Sequence, residues 1–95
     1  MLTLDEVLND FAVFANLENT TVNVNSVAND GTTPLHFMAY LGDTNAIQLL
    51  LLNGANIDAI DNQDNTALQE AIISGQMEVV KQLTKQHDSI GSNRK

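Results

Sequence analysis

Two histidines and one run of acidic and amide side chains are the groups in this 95-residue chain with the means to do chemistry. His36 stands in the stretch Thr32-Thr33-Pro34-Leu35-His36, and an imidazole that titrates near neutrality is the commonest general base. A base needs a nucleophile and an orienting acid, and neither histidine has such a set near it in sequence. Cysteine is absent, which removes thiolate catalysis, thiolate metal sites and disulfide staples together. His87 falls among Lys85, Gln86 and Asp88 at a predicted helix end, where a contact with the helix dipole accounts for it. The run Asp58-Ala59-Ile60-Asp61-Asn62-Gln63-Asp64-Asn65 raises the question of calcium. It lacks the glycine and the bidentate glutamate of a calcium loop; with Asp61 first, Ile72 stands where that glutamate belongs. Solvated turns with local side-chain-to-backbone bonds explain these residues better. No glycine-rich phosphate loop, metalloprotease helix or basic aromatic groove is present. The expectation is a chain that works through its surface, without catalysis, metal or cofactor.

Charge narrows what such a surface would meet. The net charge is −8, and the first 80 residues hold eleven Asp or Glu and no Lys or Arg. The four basic residues, Lys81, Lys85, Arg94 and Lys95, close the chain. A body of this sign repels nucleic acid and anionic membranes and steers a basic protein toward it, although it also serves plain solubility. The N-terminus has no basic start or apolar run of a secretion signal, and the stretch from Ile47 to Leu52 is far too short to span a bilayer. A soluble cytoplasmic protein of one small domain is predicted.

The elements that would carry this surface are helices. Thr3 with Glu6 forms a capping box, and Leu4, Val7, Leu8, Phe11, Phe14 and Leu17 then recur at helical spacing before an Asn- and Thr-rich stretch from Asn16 to Asn25. Thr33 is a good N-cap with Pro34 at the first helical position, predicting a helix from Pro34 to Leu41 ended by Gly42. A second spans Thr44 to Asn53, with Ile47, Leu50 and Leu51 inward and Gly54 closing it. Thr66 with Gln69 repeats the capping box, and Gly75 divides a helix over Ala67 to Ser74 from one over Met77 to Gln86.

These elements repeat. Thr33, Leu35, Gly42, Ile47, Leu50 and Ile57 reappear 33 residues later as Thr66, Leu68, Gly75, Val80, Leu83 and Ile90. A fixed period of this size marks stacked units that cannot bury their apolar faces alone. In the same register Phe14 and Leu17 lie where Ile47 and Leu50 lie later, so the first helix reads as an incomplete unit capping the stack. The run Asp30-Gly31-Thr32-Thr33-Pro34-Leu35-His36, with Gly42, Leu50-Leu51 and Gly54-Ala55-Asn56-Ile57-Asp58-Ala59, resembles the ankyrin repeat. The resemblance is close over residues 28–60, looser over 61–90 and faint over 1–21, with Val24-Asn25 matching the end of a preceding repeat. In the looser unit Asp64 replaces the turn glycine, Ala67 the proline, Gln69 the histidine and His87 the glycine that ends the outer helix.

The resemblance implies an all-α, ankyrin-like solenoid: one domain over 1–90, with an N-terminal cap (1–27), a repeat (28–60) and a C-terminal cap (61–90), then a polar tail (91–95). It implies that His36 braces the turn beside its threonine, and Met38, where the family prefers alanine, reads as core filler. It also implies partner binding through hairpin tips and the exposed side of the inner helices, which line a concave face. Those positions are Asn29, Asp30, Thr32, Tyr40 and Leu41 in one unit and Ile60, Asn62, Gln63, Asn65, Ile73 and Ser74 in the next. Tyr40, Leu41, Ile60 and Ile73 are large and apolar where the framework does not need them, with Asp30, Asp61 and Asp64 to steer. The competing expectation is that these residues fold inward or associate with a second copy, so the predicted state is a monomer or weak dimer. The expected function is non-catalytic docking of a partner protein with a basic surface, with no nucleic-acid or membrane role. An inhibitory form is an immunity or antitoxin protein, or a viral protein blocking a nucleic-acid-binding one. The alternative is a scaffold or adaptor fragment of a longer array; Lys81, Lys85 and Gln86 on the last helix, and Met1 opening a capped one, lean toward a complete chain.

Overall fold

The computed structural model describes residues 2–18 and 21–91. Five helices appear among them: α1 (Leu4–Ala15), α2 (Pro34–Leu41), α3 (Thr44–Leu52), α4 (Ala67–Ile73) and α5 (Met77–Gly91). Three of them start on a threonine that closes a capping box: Thr3 with Glu6, Thr33 with His36, and Thr66 with Gln69. Each threonine oxygen accepts from the N3 amide, and each N3 side chain reaches back to the threonine N–H, so two orphan donors are met at once. Asp43 caps α3 in the same sense, accepting from the Ala46 amide at 3.1 Å.

α2 stops at Gly42, whose φ of 79° is a left-handed conformation that a side chain resists. The Gly42 and Asp43 amides return to the Met38 carbonyl at 2.9 and 3.1 Å, tying off the helix end. A Cβ here would also run into the Gln76 amide, which itself donates to the Tyr40 carbonyl at 2.9 Å.

The 33-residue period is visible bond for bond in the loops. Ala28 N–H donates to Thr32 O at 2.8 Å, and Asp61 N–H donates to Asn65 O at 3.0 Å. Gly31 N–H donates to Ala28 O at 2.9 Å, and Asp64 N–H to Asp61 O at 3.0 Å. The Asn23 and Asn56 side chains accept from the amides of Asn25 and Asp58 in identical turns at 2.9 and 3.0 Å. Asp64 therefore takes the place of Gly31, and it adopts φ 65°, a strained value for a residue with a Cβ.

Helices pack in two layers. α2 lies against α4, α3 against α5, and each pair closes through α2 on α3 and α4 on α5, with α1 against both α2 and α3. The core between them holds Val7, Leu35, Met38, Ala39, Ala46, Ile47, Leu50, Ala67, Ala71, Val79 and Leu83. Met38 fills the position that Ala71 takes one unit later. Polar rungs join neighbouring units: Gln82 Nε2 donates to Thr44 O at 2.9 Å, and Asn25 bonds both Gly54 O and the Asn56 amide, at 3.3 and 2.9 Å.

Two local expectations fail. The apolar stripe of α1 does not continue inward through Phe14 and Leu17: the helix ends at Ala15 with Asn16 left-handed, and Phe14 is 49% exposed although its register partner Ile47 is fully covered. Val7, Phe11 and Ala12 do the burying, since α1 is one unbroken helix where the later units have a helix, a turn and a second helix. At the other end α5 runs past Gln86 to Gly91, because residue 87 offers no glycine to stop it as Gly54 follows α3. The side chain of His87 and the tail beyond Gly91, like Asn19 and Thr20 in the first loop, lie outside the described residues.

Candidate functional site

His36 is built into the framework. It is 2% exposed, and both ring nitrogens are used. Nε2 lies 2.7 Å from the Asn65 carbonyl, which can only accept, so Nε2 carries the proton. Nδ1 then accepts, from the Thr33 hydroxyl at 2.8 Å and the Thr33 amide at 3.4 Å. The imidazole thus braces the turn beside Thr33, as the resemblance implied, and also bolts α2 to the following hairpin.

The hairpin tips are joined as well. Asn62 donates its backbone N–H to Asp30 O at 3.0 Å and its side-chain amide to Asn29 O at 3.2 Å. Gly31 lies so close to Asn62 that a Cβ would meet its backbone at 2.6 Å. Asn65 spends its carbonyl on His36 and its amide on Asp61 Oδ1 at 3.0 Å. Asn29, Asn62 and Asn65 therefore hold the surface together in addition to facing outward, whereas Gln63 commits only its backbone N–H, to Asp61 Oδ1 at 2.9 Å.

The large apolar residues stay out of the core. Tyr40, Leu41, Ile60 and Ile73 are 56, 50, 54 and 67% exposed, which removes the inward-folding alternative. Tyr40, Leu41, Ile73 and Ser74 line one groove with Gln76, where the C-terminal ends of α2 and α4 lie side by side. Ile60 lies on the loop between α3 and α4 and does not line this groove.

Next to the groove, sharing Tyr40 with it, is a cleft of about 270 Å³ lined by Phe14, Asp30, Thr32, His36, Phe37, Tyr40, Asp61 and Glu70. Phe14 and Phe37 stack there, centroids 4.4 Å apart and planes 22° from parallel. The Thr32 side chain and then its amide hold the Asp30 carboxyl below its ordinary value of 3.8; the amide donates to Oδ1 at 3.0 Å. Glu70 accepts from the Ser74 hydroxyl at 2.9 Å. Phe14, Phe37 and Glu70 were missed in the sequence, yet a signal for two of them was there. Phe37 and Glu70 are 33 residues apart, as are Tyr40 and Ile73, so the period lays two rows of side chains along one face. Phe14 carried no such signal, because its register partner is a core residue.

Among the described residues, no group of three or more His, Cys, Asp or Glu is arranged to hold a metal ion. No helix among them is long and apolar enough to cross a membrane.

Paired helices joined by hairpin loops, repeating bond for bond and stacked in two layers, define a helical solenoid. A family model described as ankyrin repeats (3 copies) matches residues 6–94, and the chain belongs to that family. It is similar to Interferon antagonist OPG039 of monkeypox virus, 37% identical over 70 residues, which cover 72% of this chain and 25% of that protein. It is also similar to a Caenorhabditis elegans homolog of transient receptor potential cation channel subfamily A member 1, 42% identical over 60 residues (63% of this chain, 5% of that one). Human Rabankyrin-5 is 42% identical over 66 residues (70% and 6%). The chain thus spans a quarter or less of the length of these relatives. Ankyrin repeats generally mediate protein–protein interaction, and the family is typically non-catalytic.

Proposed function

We propose that this chain is a non-catalytic binding module that docks a partner protein with a basic surface on its concave face. The observation that carries the reading is the exposure of Tyr40, Leu41 and Ile73 along one groove next to a cleft edged by Asp30, Asp61 and Glu70. Exposed apolar anchors with a polar rim are the usual composition of an interaction site. The carboxylates steer a basic partner and set its orientation, and the apolar groove supplies the affinity. In this reading residues 28–60 are a near-consensus repeat held between an N-terminal cap (1–27) and a C-terminal cap (61–90), and the module works in the cytoplasm as a monomer or weak dimer. The partner's function is blocked by occupation of its basic surface, a role in keeping with the monkeypox virus relative named as an interferon antagonist.

A second reading, a scaffold segment of a longer array, has its own support. Ile72 is 57% exposed, although its register counterpart Ala39 is fully covered, and Met77 at the start of α5 is exposed as well.

Affinity capture from the native host, run in parallel on wild type and Tyr40→Ala/Ile73→Ala, separates the outcomes. The double variant is expected to keep its helical circular dichroism and lose the captured protein. Capture that survives the double substitution sinks the concave-face reading.

A further inference from the structure

We propose that the cleft floored by Phe14 and Phe37 is a receptor for one arginine side chain of the partner protein. The inference rests on the reading that the concave face docks a protein, and it names the chemistry recognised there. Three of the chain's four aromatic residues, Phe14, Phe37 and Tyr40, converge on this cleft together with three carboxylates, Asp30, Asp61 and Glu70. Phe14 is half exposed and stacked on Phe37, so its ring is held flat while part of it faces water. An exposed aromatic face beside carboxylates is a poor surface for water and a good one for a planar cation, whose guanidinium stacks on the ring while its N–H groups reach the acids.

The acids are placed before any ligand arrives. Asp30 accepts from the Thr32 amide at 3.0 Å, Asp61 from the Gln63 and Asn65 amides at 2.9 and 3.0 Å, and Glu70 from the Ser74 hydroxyl at 2.9 Å. Ordering them costs little on binding, as in any preorganised site. Among the described residues, no lysine or arginine lines the cleft. The first lysine or arginine in the sequence is Lys81, which pairs with Glu78 on α5.

Size and lining select the occupant. About 270 Å³ falls just below the roughly 300–1,000 Å³ of pockets that take a drug-sized ligand, and suits a single long side chain. A metal ion has no use for the aromatic carbon that lines much of the cleft. A lysine ammonium is a strongly hydrated point charge, whereas arginine offers both a flat face for Phe14 and forked donors for paired acids.

Selection from a random linear-peptide library on the intact chain, followed by titration calorimetry of a selected peptide, tests this. The peptides are expected to share an arginine at one position, and replacing it with neutral, isosteric citrulline should weaken binding by roughly tenfold or more. Phe14→Leu and Glu70→Gln, both checked for unchanged helical circular dichroism, should each weaken it by roughly three- to tenfold. Selection of no peptide, binding in which lysine equals arginine, or binding indifferent to both substitutions overturns the arginine receptor. Leu41→Ala/Ile73→Ala then tells the two readings apart, since neither residue lines the cleft. Peptides that ignore the cleft but need Leu41 and Ile73 leave the concave-face reading standing, and peptides that need neither remove both.

Discussion

At His36 a catalytic imidazole and a structural one predict opposite results for one substitution. His36→Gln places there the residue that the next unit uses at Gln69, whose Oε1 accepts from the Thr66 amide at 2.8 Å. Glutamine can therefore keep the capping box of α2 but loses the bond from the ring to the Asn65 carbonyl, which ties α2 to the following hairpin; that carbonyl keeps only the Asp61 amide. Urea denaturation should show a loss of about 1–2 kcal/mol; a catalytic histidine would leave stability unchanged. At Asp30 the lowered pKa means the ionised carboxylate belongs to the folded hairpin. Its contribution is fully present above the unfolded value near 3.8 and is lost as pH falls through the lower folded value. Exchange protection of the Thr32 amide should therefore stay flat down to about pH 4 and fall only below it. The turn-bracing role of His36 was legible because Thr33 stands three residues away, whereas its bond to Asn65, 29 residues on, was not. The aromatic floor was not, since Phe14 and Phe37 meet only once α1 folds back on α2.

Among the elements, caps and glycines decide where helices begin and end, and most of those signals are written within four residues. Every predicted start matched, at Leu4, Pro34, Thr44, Ala67 and Met77, because threonine caps and glycine stops act locally. The end of α5 was not legible, because a helix stops where a stop signal stands and residue 87 supplies none. Asp64 is the clearest compromise in the degenerate unit, holding φ 65° where Gly31 holds 85°. Asp64→Gly should raise stability by about 0.5–1 kcal/mol, read as a higher thermal midpoint. Gly42→Ala should do the reverse, by about 1–2 kcal/mol, since it adds left-handed strain and pushes on the Gln76 amide that bridges to Tyr40.

Over the whole molecule, two layers of helices leave Tyr40, Leu41 and Ile73 exposed at the ends of α2 and α4, next to a cleft edged by Asp30, Asp61 and Glu70. Architecture was legible from the period, which fixes what stacks on what, and the family from the resemblance carried by the run Asp30 to His36 and the motifs that follow it. The grouping within the surface needed three dimensions: Ile60 does not line the groove that Tyr40, Leu41 and Ile73 share. A face built this way should bind with an affinity that falls as salt screens the carboxylates, over a Debye length of about 8 Å at physiological ionic strength. The most direct test is titration calorimetry of the captured partner against wild type and Tyr40→Ala/Ile73→Ala, at low and at physiological salt. Docking on the concave face predicts a loss of roughly a hundredfold for the double variant, as expected when two anchors are truncated, and weaker binding by wild type at the higher salt. An affinity for the double variant within about twofold of wild type, well inside the tenfold that 1.4 kcal/mol represents, would contradict it.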